Sequence, residues 1–471
     1  MRLNPADDHF AAAICAQLGD DVLRPISERY LEEPRQRFVG RSGILALPRT
    51  AEQVSALVKL AAESCVPVIP YGGGTGLVGG QVVPDGPTPL IISLERMAAI
   101  RTVYPTENIL VVEAGAILAD VQAAAEDAER LFPLSLAAQG SCRIGGNLAT
   151  NAGGVNVLRY GNARDLCLGL EVVLPNGEIW HGLSRLRKDN TGYDLRNLMI
   201  GSEGTLGIIT AAALKLFPRP KGVGTAMFQV ASPEAAIDLL SLARDQVGEA
   251  ISTFELIHRQ GLEFLTDVLP EVRQPFATPP EWSVLIELGL PAGQDPSEML
   301  EAIYVAADER ALVSDAVIAQ SETQRSELWA VRERIPEANR LIGSVSSHDI
   351  SVPISRIPEF IQRGADVVAG QGAFRVNCFG HLGDGNLHYN VFPPERHDKA
   401  EFVAQRGEVK RAVHDLVHEF GGSVSAEHGI GRLKTDDLER YGDPVRLQAM
   451  HAIKAALDPL GIMNPGAVLK P

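Results

Sequence analysis

Tyr71-Gly72-Gly73-Gly74-Thr75-Gly76-Leu77-Val78-Gly79-Gly80 decides which fold this chain can adopt. Within it, Gly74, Gly76 and Gly79 have the GxGxxG spacing of a dinucleotide fingerprint. That fingerprint needs a helix directly after the glycines and an acidic residue ~20 positions on. Here the loop runs into Gln81-Val82-Val83-Pro84-Asp85-Gly86-Pro87, whose prolines and glycine stop a helix from forming. A Rossmann sheet is rejected, and no Walker lysine is present for a nucleotide triphosphate. What remains is a row of glycines that can adopt φ values other residues avoid. Their N–H groups can converge on an anion.

Two further loops share this texture. One is Gly140-Ser141-Cys142-Arg143-Ile144-Gly145-Gly146-Asn147, continuing into Thr150-Asn151-Ala152-Gly153-Gly154. The other is Gly201-Ser202-Glu203-Gly204-Thr205-Leu206-Gly207-Ile208-Ile209. A single such loop reads equally well as tight turns. Three of them, with Asn, Thr and Ser interspersed, point to a bound dinucleotide.

The surrounding elements follow from periodicity. Gly43 to Pro48, Val66 to Pro70, Leu90 to Ser93, Ile109 to Glu113, Gly169 to Leu174 and Thr205 to Phe217 read as strands, with Pro70 demoting the second to an edge. Thr50 and Gln53 form a capping box for a helix whose stripe is Val54, Leu57, Val58 and Ala61. Leu118 to Arg130 is a helix, and Asn176-Gly177 marks a hairpin. After Pro218-Arg219-Pro220 the texture changes. Strands at Thr225 to Val230 and Ser283 to Leu288 alternate with amphipathic helices at Pro233 to Val247 and Asp295 to Glu309. That pattern predicts an antiparallel sheet with helices on one side.

The chain of 471 residues is too long for one ordinary core. A net charge of −16 excludes nucleic acid as partner, because phosphate binding needs basic stripes, and it disfavours docking on anionic lipid. An acidic substrate would therefore need a locally positive site. Five cysteines without CxxC spacing give neither a disulfide framework nor a zinc ribbon, and they suit a reducing compartment. No segment reaches the ~20 apolar residues of a membrane span. A cytoplasmic address, with peripheral attachment at the inner membrane through a partner, is the expectation.

Near the C-terminus, His381 and His388 flank Gly383-Asp384-Gly385-Asn386, and Glu427-His428 follows within Ser425-Ala426-Glu427-His428-Gly429-Ile430-Gly431. Imidazoles with a carboxylate suit a divalent metal that keeps open positions. The glycines make one helix through both histidines improbable, and one strand would place them on opposite faces. A glycine-permitted turn can bring both inward. The following strand then presents Asn386, His388 and Asn390 on one face and Leu387, Tyr389 and Val391 on the other. A hydrogen-bonded core histidine is the bland alternative.

Taken together, the motifs resemble the flavin oxidoreductases of the vanillyl-alcohol oxidase type, with a p-cresol methylhydroxylase (PCMH)-like FAD domain. Within that family the chain is similar to the D-2-hydroxyacid dehydrogenases: the D-2-hydroxyglutarate, D-lactate and glycolate oxidase catalytic subunit group. The resemblance rests on Pro70 to Gly80, Gly140 to Gly154, Gly192-Tyr193-Asp194-Leu195 with Gly201 to Ile209, His381 to Asn390, Ser425 to Gly431 and Asn464-Pro465-Gly466. It implies an α+β architecture. The PCMH-type FAD domain would have two α+β subdomains, and the substrate (cap) domain an antiparallel sheet with flanking helices. The expected bounds are a helical lead-in over 1–38, the FAD domain over 39–218, the substrate domain over 219–425, and a segment over 426–471 returning to the flavin.

The resemblance also implies ligands. FAD would be held by Pro70, Gly72, Gly73, Gly74, Thr75, Gly76 and Leu77 of the first loop. The second loop would add Gly140, Ser141, Ile144, Gly145, Gly146, Asn147, Thr150 and Gly153. Glu203, Gly204, Ile208 and Asn464 complete the set. Some relatives link FAD covalently through a histidine in the first loop. This chain has none there, so the flavin is expected to be non-covalent. His381, His388 and Glu427 would hold a divalent ion, most commonly zinc. The substrate is a small 2-hydroxyacid. His428 is either the base for its hydroxyl or an orienting group, Asn390 holds substrate or a metal-bound oxygen, and Arg332 pairs with the substrate carboxylate. A solvated pair of Arg332 with Glu333 or Glu337 is the alternative. Electrons would pass to a quinone, an electron-transferring flavoprotein or a cytochrome, and a homodimer is compatible.

The sequence departs from the hydroxyglutarate pattern at Pro336 and Ser347, where a threonine and a lysine are usual. His348 is the candidate substitute for that lysine, and D-malate or D-lactate becomes a competing substrate. Two other classes compete: a metal-dependent hydrolase, which leaves the glycine loops unexplained, and a non-catalytic flavin electron relay.

Overall fold

A computed structural model describes residues 2–470, which form two compact units. The first comprises the chain up to Gly154, then Gly161–Arg219, and the segment from Glu427 onward. The second comprises Val155–Tyr160 and Pro220–Ala426.

The first unit contains two main sheets. Strands β1 (Leu23–Arg24), β2 (Ile44–Ala46), β3 (Val68–Tyr71) and β4 (Leu90–Ser93) form one, in the order β1-β2-β4-β3. The crossover between β2 and β3 is the helix Ala51–Ser64. It buries Val54, Leu57, Val58 and Ala61, the stripe read from the sequence. Thr50 Oγ1 accepts from Gln53 N–H at 3.3 Å, a cap worth about 1 kcal/mol. The capping box is displaced by one residue, because Gln53 Oε1 accepts from Arg49 N–H instead. β3 is an edge strand, as its proline requires, and its outer side is covered. Val68 N–H donates to Ile462 O and Asn464 N–H to Val68 O, both at 2.8 Å.

The second sheet is antiparallel. It holds β5 (Ile100–Tyr104), β6 (Ile109–Glu113), β8 (Cys167–Val173), β9 (Ile179–Gly182) and β10 (Ile208–Lys215), ordered β5-β6-β10-β8-β9. A short pair, β7 (Arg130–Leu131) with β11 (Phe217–Pro218), lies beside it in sequence. The Asn176-Gly177 turn joins β8 to β9, with Gly177 at φ 79°. Two expectations change. The opening segment, read as a helical lead-in, has one α-helix (Asp8–Leu18) and two short 3-10 turns, and it also supplies β1. The second glycine-rich loop contains a short helix, Ile144–Ala149.

The second unit is built on one antiparallel sheet of seven strands. They are β12 (Gly222–Val230), β13 (Ile251–His258), β14 (Trp282–Leu290), β15 (Val313–Ile318), β16 (Ser346–Ser351), β17 (Arg375–His381) and β18 (Asn386–Phe392). Their order is β15-β12-β14-β13-β17-β18-β16. Helices cover both faces rather than the one expected. On one face a Cβ at Gly224 would lie 2.5 Å from Pro296 of the helix Pro296–Asp308. On the other, Met227, Ile257, Leu285 and Phe379 pack with Leu328, Val331 and Ile335 of the helix Glu322–Ile342. Every residue of β14 is buried, which hides the alternation that a one-sided sheet would show.

Candidate active site

The first glycine loop runs from β3 to β4 through turns alone, so its N–H groups are not consumed by a helix. Close packing explains the glycines. A Cβ at Gly73 would stand 2.2 Å from Ser141 O, so the first and second loops touch backbone to backbone there. At Gly74, with φ 74°, a Cβ would meet the Tyr71 hydroxyl at 2.2 Å.

The three loops enclose one cavity within the first unit. Pro70 and Gly72 to Gly76 line it from the first loop, Gly145, Gly146, Asn147 and Thr150 from the second, and Glu203, Gly204 and Ile208 from the third. His428 shares this wall. Tyr71, Gln81, Arg143 and Ser202 also line it and were not singled out from the sequence; Tyr71, Arg143 and Ser202 sit inside quoted loops, so their position was the available signal. Leu77, Gly140, Ser141, Ile144 and Gly153 lie outside the lining. Ile144 is core, only 1% exposed.

Glu203 in the wall and Asn464 outside the lining tie the segments together. The buried Glu203 carboxylate accepts Ile430 N–H and Gly431 N–H, both at 2.8 Å, tying the third loop to the segment that carries His428. Burial pushes its carboxyl upward, opposed by those two amides. Asn464 Nδ2 donates to Gly80 O at 2.9 Å and Glu203 O at 2.8 Å. Arg432 donates to Gly79 O, Gly80 O, Asn464 Oδ1 and Pro465 O at 2.9 to 3.1 Å. Burial brings its guanidinium down to about 10 against the pull of Glu203.

The second unit positions the histidines. β17 and β18 form a hairpin whose turn, Leu382 to Gly385, closes with Gly385 N–H donating to His381 O at 3.2 Å. Gly385 takes φ 89°, as expected of a glycine-permitted turn. His381 and His388 then stand with ring centroids 5.6 Å apart. His388 lies opposite Asp349 on β16, and Asn390 opposite Ser347 and Asn377. Asn386 Nδ2 donates to Asp349 Oδ1 at 3.0 Å. Leu387, Tyr389 and Val391 occupy the other face, where Tyr389 meets Phe360.

Arg332 departs from the reading of it as a solvated pair. Its partner is neither Glu333 nor Glu337 but Glu255 on β13, whose Oε2 accepts from Arg332 Nε at 2.5 Å. The two side chains are 6% and 1% exposed, and the guanidinium lies 4.8 Å over the Phe379 ring. Glu255 Oε1 also meets His381 Nδ1. Burial alone would raise the Glu255 carboxyl, but Arg332 and His381 outweigh it and hold it at about 2. Sequence reasoning missed this residue. Its signal was a lone acid inside the apolar strand Phe254-Glu255-Leu256-Ile257.

His348 does not serve as the substitute for the missing lysine. It points to the face opposite Asp349 and His388, 3% exposed, with its ring 5.1 Å from His414 of the helix Arg406–Glu419. Strand alternation alone separates it from the polar face.

Glu427 opens the returning segment of the first unit. It follows Ala426, whose N–H donates to Asp349 O at 3.3 Å within the second unit.

Residues 219–468 match the family described as FAD linked oxidases, C-terminal domain, and residues 43–182 match an FAD binding domain. The chain is 37% identical to the mitochondrial D-2-hydroxyglutarate dehydrogenase of Arabidopsis thaliana, over 92% of this chain and 76% of that protein. It is 37% identical to D-2-hydroxyglutarate dehydrogenase of Xanthomonas citri pv. viticola, over 94% and 92%. Among solved structures, p-cresol methylhydroxylase superposes with a TM-score of 0.76 at 16% identity, covering 99% of each chain. An alkyldihydroxyacetonephosphate synthase superposes with a TM-score of 0.73 at 18% identity, over 99% of this chain and 86% of that one. These likenesses confirm the α+β, PCMH-type fold that the resemblance implied. The protein is an FAD-linked oxidoreductase, and it belongs to the FAD linked oxidase family together with the D-2-hydroxyglutarate dehydrogenases.

Proposed function

We propose that the protein oxidises a D-2-hydroxyacid of the hydroxyglutarate or malate type to the 2-oxoacid. The observation that carries this reading is the single cavity in which His428 stands beside all three glycine-rich segments. An imidazole able to take a hydroxyl proton thus shares a wall with the loops suited to FAD. Those loops supply glycine N–H groups for the pyrophosphate, which fits a dissociable flavin. When bound, FAD supplies the hydride acceptor and a divalent cation the Lewis acid that makes the substrate hydroxyl more acidic.

His381, His388 and Glu427 are the proposed metal ligands, with zinc the expected ion. The donor set fits. Two imidazoles lie face to edge at 5.6 Å, one of them on a carboxylate, and the chain leads from Asp349-bound Ala426 straight into Glu427. In this reading His428 accepts the hydroxyl proton and Asn390 orients the hydroxyl. Arg332 takes the substrate's carboxylate through the terminal nitrogens that Glu255 does not use. The residues 1–218 with the returning segment would form the cofactor part, and 219–425 the substrate part.

The electron acceptor is proposed to be a quinone, an electron-transferring flavoprotein or a cytochrome. Among the described residues no helix is long and apolar enough to cross a membrane, and a cytoplasmic protein meeting its acceptor peripherally is the proposed setting. The test is anaerobic. Yellow purified protein should be bleached by D-2-hydroxyglutarate or D-malate and not by their L-enantiomers. Bleaching by D-lactate alone would move the substrate to the monocarboxylates, and no bleaching by any hydroxyacid would leave a flavin relay.

A further inference from the structure

We infer that Glu255 is the positioning residue of the substrate site, setting the tautomer of His381 and the orientation of Arg332 with one carboxylate. The inference rests on the metal reading of His381 given above. Glu255 is placed on β13 directly opposite His381 on β17, so the pairing is fixed by strand register and not by a mobile side chain. Its two oxygens do different things. Oε1 meets His381 Nδ1, and Oε2 accepts from Arg332 Nε at 2.5 Å. A carboxylate has no proton to offer, so the neutral imidazole must carry its hydrogen on Nδ1. The Nε2 lone pair is then the ring's electron donor, which a metal ligand needs. On the other arm, holding Nε prevents the guanidinium from turning about its stem while its face rests on Phe379. Both groups thereby answer to one buried anion, and neither can be re-aimed without disturbing the other.

A carboxylate this deeply buried is costly unless fully partnered, so a purely structural acid would be better replaced by an apolar side chain. The alternative role, satisfying Arg332 alone, is separable by Glu255→Gln. The amide keeps the volume and still accepts from Arg332 through its oxygen. Its NH₂ must donate toward His381 Nδ1, which forces the hydrogen to Nε2. The variant therefore inverts the tautomer and preserves the packing.

Two measurements decide the matter on the full-length flavoprotein. Nitrogen-15 NMR of the metal-free protein at pH 9 should show His381 as the Nδ1–H tautomer in the parent and as Nε2–H in Glu255→Gln. Zinc affinity, read by competition with a chromophoric chelator, should fall about 10- to 100-fold in Glu255→Gln. Glu255→Asp, which keeps a carboxylate, should recover part of that loss, and flavin absorbance should be unchanged in both. An Nε2–H tautomer in the parent, or equal zinc affinity in parent and Glu255→Gln, overturns the inference. Failure of the parent itself to bind zinc would instead overturn the metal reading, while the tautomer result would still test the role of Glu255.

Discussion

Four oxygens converge on the Arg432 guanidinium: Gly79 O, Gly80 O, Asn464 Oδ1 and Pro465 O. They belong to the far end of the first glycine loop and to the chain terminus, so one side chain fastens the loop from behind. Replacing it by methionine keeps the stem and removes this donor from all four, of which Gly80 O keeps Asn464 Nδ2. At about 1 kcal/mol per bond, Arg432→Met should cost about 2–4 kcal/mol by urea denaturation and weaken FAD binding by fluorescence titration. Glu255 gives a pH prediction of definite sign. Its folded value of about 2 lies below the ordinary 4.5. The stability it contributes is therefore fully present above about 4.5 and disappears as pH falls toward 2. In chelator-treated protein, Glu255→Gln should be less stable than the parent at pH 6, and the gap should narrow at pH 3. A gap of constant size would show that the carboxylate is not ionised in the fold. At this scale the sequence revealed residue types better than partners. The shared face of Asn386, His388 and Asn390 was legible because a polar row on an alternating strand is unusual. The partner of Arg332 was not, since Glu255 lies 77 positions away on a strand that is neighbouring only in the folded sheet.

The β17–β18 hairpin is the element on which the histidine pair depends. Its turn needs Gly385 at φ 89°, and a Cβ there would also stand 2.5 Å from Val352 O. Backbone cannot yield as a flexible side chain can, so Gly385→Ala combines an unfavourable φ with a clash. A loss of about 2–4 kcal/mol in urea denaturation is expected, together with weaker zinc uptake. Gly86, with φ 88° but open space around it, is the control, and Gly86→Ala should cost about 1 kcal/mol. The same contrast explains what could be read at the element scale. Helices with caps and clear stripes were placed within a residue or two: Thr50 before Ala51–Ser64, and Pro233–Val247 in full. The helix Ile144–Ala149 was lost because Gly145-Gly146 reads as loop, and contacts to Ala114 and Gly72 rather than propensity hold it. The second layer of helices was lost because strands buried on both faces carry no alternation from which to count faces.

At the scale of the whole molecule, the cavity and the buried Glu255 cluster fall on different units, while the proposed ligand Glu427 and base His428 belong to the first. The cavity's lining, His428 included, is drawn wholly from the first unit. His381, His388, Glu255 and Arg332 belong wholly to the second. Cofactor binding and metal-assisted chemistry should therefore be separable by mutation. His388→Ala should retain flavin with parental affinity and spectrum, because no cavity residue has changed. Removing this proposed metal ligand should lower turnover with a D-hydroxyacid by at least ~10²-fold, as lost Lewis-acid assistance requires. Chelation of the parent should give the same result and be reversed by added zinc. Gly73→Val is the converse. Its side chain would enter the space of Ser141 O, 2.2 Å from the added Cβ, and should abolish FAD retention. Zinc affinity, for which two of the three proposed ligands lie on β17 and β18, should stay within about threefold of the parent. A His388→Ala protein that loses its flavin, or a Gly73→Val protein that loses its zinc, would mean that the two units fold as one cooperative body.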